Sequence, residues 1–242
     1  MSDQKIKRIC LWSCPRNIST ATMYSFAQRK DTKVFDEPLY GYYLKQTNAA
    51  SYHPGAKEII NSMESNGNAV IDMMLKNREK PVLFFKNMTH HLLDLDTSFL
   101  KEVTNVLLTR DPKDMIPSFN QVIKNPTMQD VGYAAHTKIL KKLDNLNAKT
   151  IVLDSTQTLK NPEIKLKKLC DFIGIPFDKN MLSWKAGAIP EDGIWAKYWY
   201  SNVHKSTGFQ KYVPKKKNIP EQLLPLLEEC IPHYEILKKR SI

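Results

Sequence analysis

Trp12-Ser13-Cys14-Pro15-Arg16-Asn17-Ile18-Ser19-Thr20-Ala21-Thr22 follows an apolar run, Ile9-Cys10-Leu11, and precedes Met23, Phe26 and Ala27 at helical spacing. Strand, short basic loop with hydroxyls, then helix is the layout of a phosphate-binding loop. The first N–H groups of a helix lack intrahelical partners, and the helix dipole there favours negative charge. Arg16 adds a cation, Asn17 lies in the turn, and Ser19 and Thr20 add donors. The triphosphatase pattern GxxxxGK[ST] is absent, so its Mg²⁺-dependent chemistry is not implied.

A second segment repeats this logic. Val106-Leu107-Leu108-Thr109 reads as a buried strand and runs into Arg110-Asp111-Pro112-Lys113-Asp114, with Ser118 two turns further on. Asp111 suits a helix N-cap and Pro112 the first helical position. Arg110 at the strand end and Ser118 on the helix are placed to converge on one phosphate. With both segments in this order, the chain resembles the sulfotransferase family that uses 3′-phosphoadenosine 5′-phosphosulfate (PAPS). The resemblance implies that Pro15, Arg16, Asn17, Ser19 and Thr20 hold the 5′-phosphosulfate and that Arg110 and Ser118 hold the 3′-phosphate. The family pattern usually has Gly where this chain has Ile18. Gly permits a left-handed backbone and Ile does not readily do so, so Asn17 is the residue expected to take that conformation.

Other segments fit the same family. Lys86 ends the apolar run Leu83-Phe84-Phe85 and is followed by Asn87-Met88-Thr89-His90-His91. Many cytosolic sulfotransferases carry Lys-Thr-His at this point. The resemblance implies a Lys86 that meets sulfate and a histidine, His90 or His91, that serves as base or sulfate ligand, with His90 the candidate base. Glu37, in Val34-Phe35-Asp36-Glu37-Pro38, is the rival base: a carboxyl among Phe35, Tyr40, Tyr42 and Tyr43 suits proton abstraction. Lys205-Ser206-Thr207-Gly208 resembles the loop that closes over the nucleotide, with Gly208 permitting close backbone approach. Pro-Arg-Asn-x-Ser-Thr, Lys-x-Met-x-His-His and Ser-Thr-Gly-Phe together look like a divergent bacterial-type branch, one related to stretches found beside aminotransferase-like proteins. Trp195, Tyr198, Trp199 and Tyr200 are candidates to line an acceptor pocket.

Apolar runs at residues 6–12, 33–35, 82–86, 105–109 and 150–153 alternate with helical patterns at 19–29, 56–64, 69–77, 112–124, 132–146 and 159–172. This predicts one α/β domain over residues 1–242: a three-layer, P-loop-like fold whose mostly parallel sheet of about five strands has helices on both faces. Residues 186–218 read as a long covering loop, and 221–227 with 232–239 as one or two amphipathic helices.

The 242 residues carry 42% hydrophobic and 25% charged side chains, the balance of a globular chain. The polar opening, residues 1–5, predicts no leader, and the absence of a long apolar run predicts no membrane span. The four cysteines, Cys10, Cys14, Cys170 and Cys230, are scattered, which predicts no zinc site and a reducing, cytoplasmic setting. Net charge is +11, with basic clusters at Lys165-Leu166-Lys167-Lys168, Lys215-Lys216-Lys217 and Lys238-Lys239-Arg240. Such charge admits nucleic acid, but no single stripe forms, and a positive field equally draws in a polyanionic nucleotide. The expectation is therefore sulfuryl transfer from PAPS to a hydroxyl or amine of a small or medium-sized acceptor, with no metal and no nucleic-acid partner. A kinase, with Asp154 holding Mg²⁺, and a non-catalytic nucleotide-binding protein of the same fold are the alternatives.

Overall fold

The computed structural model describes residues 6–213 and 219–242. Lys215, Lys216 and Lys217 and the opening residues 1–5 lie outside the described residues. Five strands, β1 (Lys7–Ser13), β2 (Thr32–Asp36), β3 (Val82–Met88), β4 (Thr104–Thr109) and β5 (Thr150–Asp154), form one sheet in the order β2-β3-β1-β4-β5. Every pairing is parallel. The α/β, P-loop-like arrangement expected from the sequence is present, with all strands parallel.

β1 shows how the sheet comes to be covered on both sides. Successive side chains of a strand point to opposite faces. Ile9 and Leu11 join one core with Met23, Tyr24 and Phe26 of α1 (Ser19–Ala27) and Leu166 and Leu169 of α9 (Pro162–Ile173). Cys10 and Trp12 join the opposite core, with Val70, Ile71 and Met74 of α4 (Gly67–Lys76), Leu140 and Leu143 of α7 (Tyr133–Asn145) and Leu237 of α12 (Leu224–Lys239). All four cysteines are unpaired and buried. No helix among the described residues is long and apolar enough to cross a membrane.

Several helices differ from expectation, each for a local reason. The helix expected over 112–124 stops early as α5 (Pro112–Phe119) and contains Pro117. The pattern at 132–146 is preceded by a one-turn helix, α6 (Met128–Val131), with a Thr127/Asp130 capping box. Gly132, at φ 74°, separates it from α7. The 159–172 pattern divides at Asn161-Pro162 into α8 (Ser155–Lys160) and α9, because a proline disfavours helix at the residue before it. Of the one or two helices expected at the C-terminus, one forms, α12, which runs through Pro232. Two further helices, α2 (Tyr40–Gln46) and α3 (Ala56–Ser62), pack together beside the carboxyl end of β2. Among the described residues, the covering segment holds two one-turn helices, α10 (Ala196–Trp199) and α11 (Ser201–His204).

After β1 the chain first builds β2 and β3 on one side and then β4 and β5 on the other. A crevice opens at such a reversal, beyond the carboxyl ends of the strands. The loops after β1 and β4 flank it.

Candidate active site

That crevice holds a cavity of about 950 Å³, within the range for small-molecule sites. At one end lies the loop from β1 to α1. Ile18 is the N-cap of α1 and makes no side-chain cap. Ser19, Thr20 and Ala21 of the first turn line the cavity, and their N–H groups precede the first intrahelical bond, from Thr22 N–H to Ile18 O (2.9 Å). The left-handed conformation falls on Arg16 (φ 60°) and Ile18 (φ 62°), not on Asn17. Asn17 has another task. Its side-chain amide donates to Leu108 O (3.0 Å), and its carbonyl accepts from Ser155 Oγ (2.8 Å), so it ties the loop to β4 and α8. The strain therefore passes to its neighbours, at a cost of roughly 1–2 kcal/mol for each non-glycine residue.

The two phosphate segments meet. Arg16 Nε donates to Ser118 Oγ (3.2 Å), and Arg110 Nη1 donates to Arg16 O (2.6 Å). Arg16 Nη1 also donates to Trp199 O (3.1 Å) in the covering segment. Burial first, and the Arg110 charge second, lower the affinity of Arg16 for its proton. Two guanidinium groups beside an open helix N-terminus make a site whose unmet demand is for an anion.

At the other end, Lys86 is 1% exposed and donates to Asp36 Oδ1 (2.8 Å), to Tyr200 OH (2.6 Å) and to Glu37 Oε1. These bonds use all three ammonium hydrogens, so Lys86 is engaged with carboxylates rather than turned towards an incoming sulfuryl group. Glu37 sits at φ 46°, and its backbone N–H donates to Lys86 O (2.7 Å). Burial pushes the Glu37 carboxyl up; Lys86 opposes this, and Asp36 adds to it. Aromatic rings surround the carboxylate: Tyr40 stacks on His91 with ring centres 4.9 Å apart, and Trp195 meets Tyr40 edge-on. Burial pushes His90 down to about 3 and His53 down to about 4, so both are neutral near pH 7. His90 lines the cavity, but its Nδ1 is unpaired and turned towards Gly132, where an added Cβ would lie 3.1 Å away.

Pro15, Arg16, Asn17, Ser19, Thr20, Glu37, Lys86, His90, Arg110 and Ser118 all border this one cavity, together with Ser206 and Gly208. Lys205 and Thr207 do not, and both are exposed. The Ser206 hydroxyl donates to Val203 O (2.7 Å) and accepts from Trp184 Nε1 (3.1 Å). Asp154 lies away from the cavity. Its Oδ1 caps α8 at Gln157 N–H (2.8 Å), and its Oδ2 accepts from Tyr234 OH (3.1 Å), so nothing places it on a nucleotide's Mg²⁺.

The sulfotransferase domain family model matches residues 7–241 of this chain. The chain belongs to the sulfotransferase family. Two proteins of Arabidopsis thaliana resemble it: branched-chain-amino-acid aminotransferase-like protein 2, 37% identical over 229 residues, and protein 1, 39% identical over 231 residues. Each match takes in 94% of this chain, which spans 40% and 41% of the lengths of those relatives. Among solved structures, a mouse sulfotransferase complexed with PAP superposes with a TM-score of 0.59 at 15% identity, over 99% of this chain and 90% of the mouse chain. At that identity the likeness concerns the fold.

Within this sulfotransferase domain, sequence reasoning passed over the connection from Lys86 to Asp36 and Tyr200. Asp36 was readable only as a turn residue beside Glu37. The short spacing from Trp195 to Tyr200 pointed to a packed cover, but not to a phenol bonded to the buried ammonium.

Proposed function

We propose that the protein transfers a sulfuryl group from PAPS to a hydroxyl or amine of a small or medium-sized acceptor. The observation that carries this is the convergence of Arg16, Arg110 and Ser118 at the first turn of α1. Ser19, Thr20, Arg16 and the first-turn N–H groups would hold the 5′-phosphosulfate, and Arg110 with Ser118 the 3′-phosphate. Bound PAPS supplies an activated sulfuryl group. Arg16 stands where charge develops as that group leaves its phosphate. Glu37, its Oε1 held by Lys86, takes the acceptor's proton on Oε2. Tyr40, Trp195 and Trp199 border the same end and exclude water. Geometry favours Glu37 over His90 as base, because His90 Nδ1 faces Gly132 and burial leaves that ring a weak proton acceptor.

Two measurements test this. PAP should bind with micromolar-class affinity without Mg²⁺ and raise the melting temperature by mass action. With an acceptor in hand, Glu37→Gln should keep PAP binding but lose roughly 10²–10⁴-fold in turnover. Because burial raises the Glu37 carboxyl, wild-type turnover should climb with pH as that group ionises. PAP binding with no transfer to any acceptor would instead favour a non-catalytic nucleotide-binding protein. Normal turnover in Glu37→Gln with collapse in His90→Ala would move the role of base to the histidine.

A further inference from the structure

We propose that Tyr200 is a positioning residue for the reaction: its hydroxyl, set between Lys86 and Asp36, keeps the ammonium on one oxygen of Glu37 and leaves the other for the acceptor's proton. The inference rests on Glu37 being the base. Tyr200 is buried and comes from the covering segment, not from the sheet.

The hydrogen-bond count around its phenol is complete. The O–H can donate once, and Asp36 Oδ1 and Oδ2, both at 2.8 Å, are the acceptors it meets. The phenol oxygen accepts from Lys86 Nζ (2.6 Å) and from Trp195 Nε1 (3.2 Å). Asp36 Oδ2 also accepts from Gly193 N–H (3.0 Å). The Asp36 charge is therefore spread over an ammonium, a phenol and a backbone amide, and Lys86 can still reach Glu37 Oε1. Glu37 Oε2 faces His91 Nδ1 at 4.0 Å, outside hydrogen-bond range. Its surroundings are Asp36 from β2, Lys86 from β3, neutral His91 from the turn after β3, Tyr40 from α2 and Tyr200 from the cover.

The direction of each perturbation follows. Without the phenol, Asp36 loses a donor and draws Lys86 closer, and Glu37 keeps a smaller share of the positive charge. Its carboxyl then titrates at higher pH, because the opposing cation that lowers it is more weakly engaged. Neutralising Asp36 acts the other way: it removes a like charge, gives Lys86 wholly to Glu37, and moves the titration to lower pH.

The test is an infrared pH titration of the intact chain, following the carboxylic-acid C=O band that disappears in Glu37→Gln. It needs neither nucleotide nor acceptor. The midpoint should move up in Tyr200→Phe and down in Asp36→Asn. An unmoved midpoint in Tyr200→Phe overturns the proposal. If Tyr200→Phe does not fold, a midpoint unmoved or raised in Asp36→Asn overturns it alone. A purely structural role for the cover would shift both variants the same way or neither, which also counts against it. In parallel, hydrolysis of saturating PAPS near pH 7 should fall about tenfold in Tyr200→Phe and recover as the pH is raised, the factor carried by one hydrogen bond to a charged group. Titration with PAP separates the two levels. Binding with an unmoved band defeats the positioning role alone. Opposite band shifts with no PAP binding defeat the donor reading and leave the Tyr200–Glu37 coupling standing.

Discussion

Replacing Lys86 by methionine tests the charge balance at the heart of the cavity. The side chain is 1% exposed, while Asp36 and Glu37 are each 8% exposed, so the variant leaves two buried carboxyls without their cation. Removing one partner of a buried pair costs about 3–5 kcal/mol, far more than the net contribution of the intact pair. Methionine fills most of the lysine volume, so cavity formation adds little. For a domain of this length, about 2–4 °C per kcal/mol converts the loss to a fall of roughly 6–20 °C in Tm.

The pH dependence carries the reasoning further. In wild type the Lys86 pKa is raised, so its stabilisation is fully present below the free-lysine value and is lost only as pH climbs through the folded value. In Lys86→Met the Glu37 carboxyl, already raised by burial, loses the cation that opposes this and is left further above its unfolded value. Its penalty begins above about pH 4 and grows as it ionises, so the deficit should be full at pH 8 and shrink towards pH 4. Urea unfolding of both proteins at pH 8 and pH 5, followed by two probes, measures this. A deficit below about 1 kcal/mol at pH 8 would refute the charge argument, as would one of equal size at both pH values, since simple packing loss does not titrate.

Arg110→Ala should weaken PAP more than adenosine 5′-phosphosulfate in calorimetric titrations. Because Arg110 also holds Arg16 O, a smaller loss for the second ligand is expected too, and equal losses would remove Arg110 from the 3′-phosphate. Gly193→Ala would set a Cβ 2.1 Å from Trp195 Cζ2, so the indole must move and the Trp195–Tyr200 bond with it. The expected cost is about 1–3 kcal/mol by thermal unfolding, with PAP affinity retained; an unchanged Tm would show that the cover is loosely held.

The parts of the fold that depend on local signals were legible in the sequence. Each strand announces itself as a short β-branched or aromatic run, and both phosphate segments follow such runs directly, so their place at the strand ends could be read. Asn161-Pro162 carried a readable break that the apolar periodicity of its flanks concealed. α2 was missed because Tyr40-Gly41-Tyr42-Tyr43 favours helix weakly; burial of Tyr40, Tyr43 and Leu44 holds it instead. The loop conformation misled for a related reason. Asn17 has the better intrinsic tolerance of a left-handed backbone, but its amide bond to Leu108 O, 91 positions away, outweighs that preference and leaves Ile18 to bend. Lys86 reads in the sequence only as a strand-end cation placed to meet sulfate, because its partners are remote. Asp36 and Glu37 lie 50 and 49 positions before it, and Tyr200 lies 114 after it. No local pattern encodes such a junction.

The burial of every cysteine gives the chain four internal clocks. Burial pushes the Cys14 thiol well above its ordinary range, Cys170 to about 11 and Cys230 to about 12, and Cys10 is raised as well. Since the thiolate is the nucleophile, each sulfur stays inert until its surroundings open. The positions are spread usefully: Cys10 in the central strand, Cys14 at the root of the phosphate loop, Cys170 in α9 and Cys230 in α12. Cys14 is held most specifically. Trp12 O can only accept, so His136 Nε2 donates to it, and Nδ1 is left to receive the thiol hydrogen. Alkylation of that one sulfur therefore times the unlocking of the loop, separately from the fraying of the C-terminal helix that exposes Cys230.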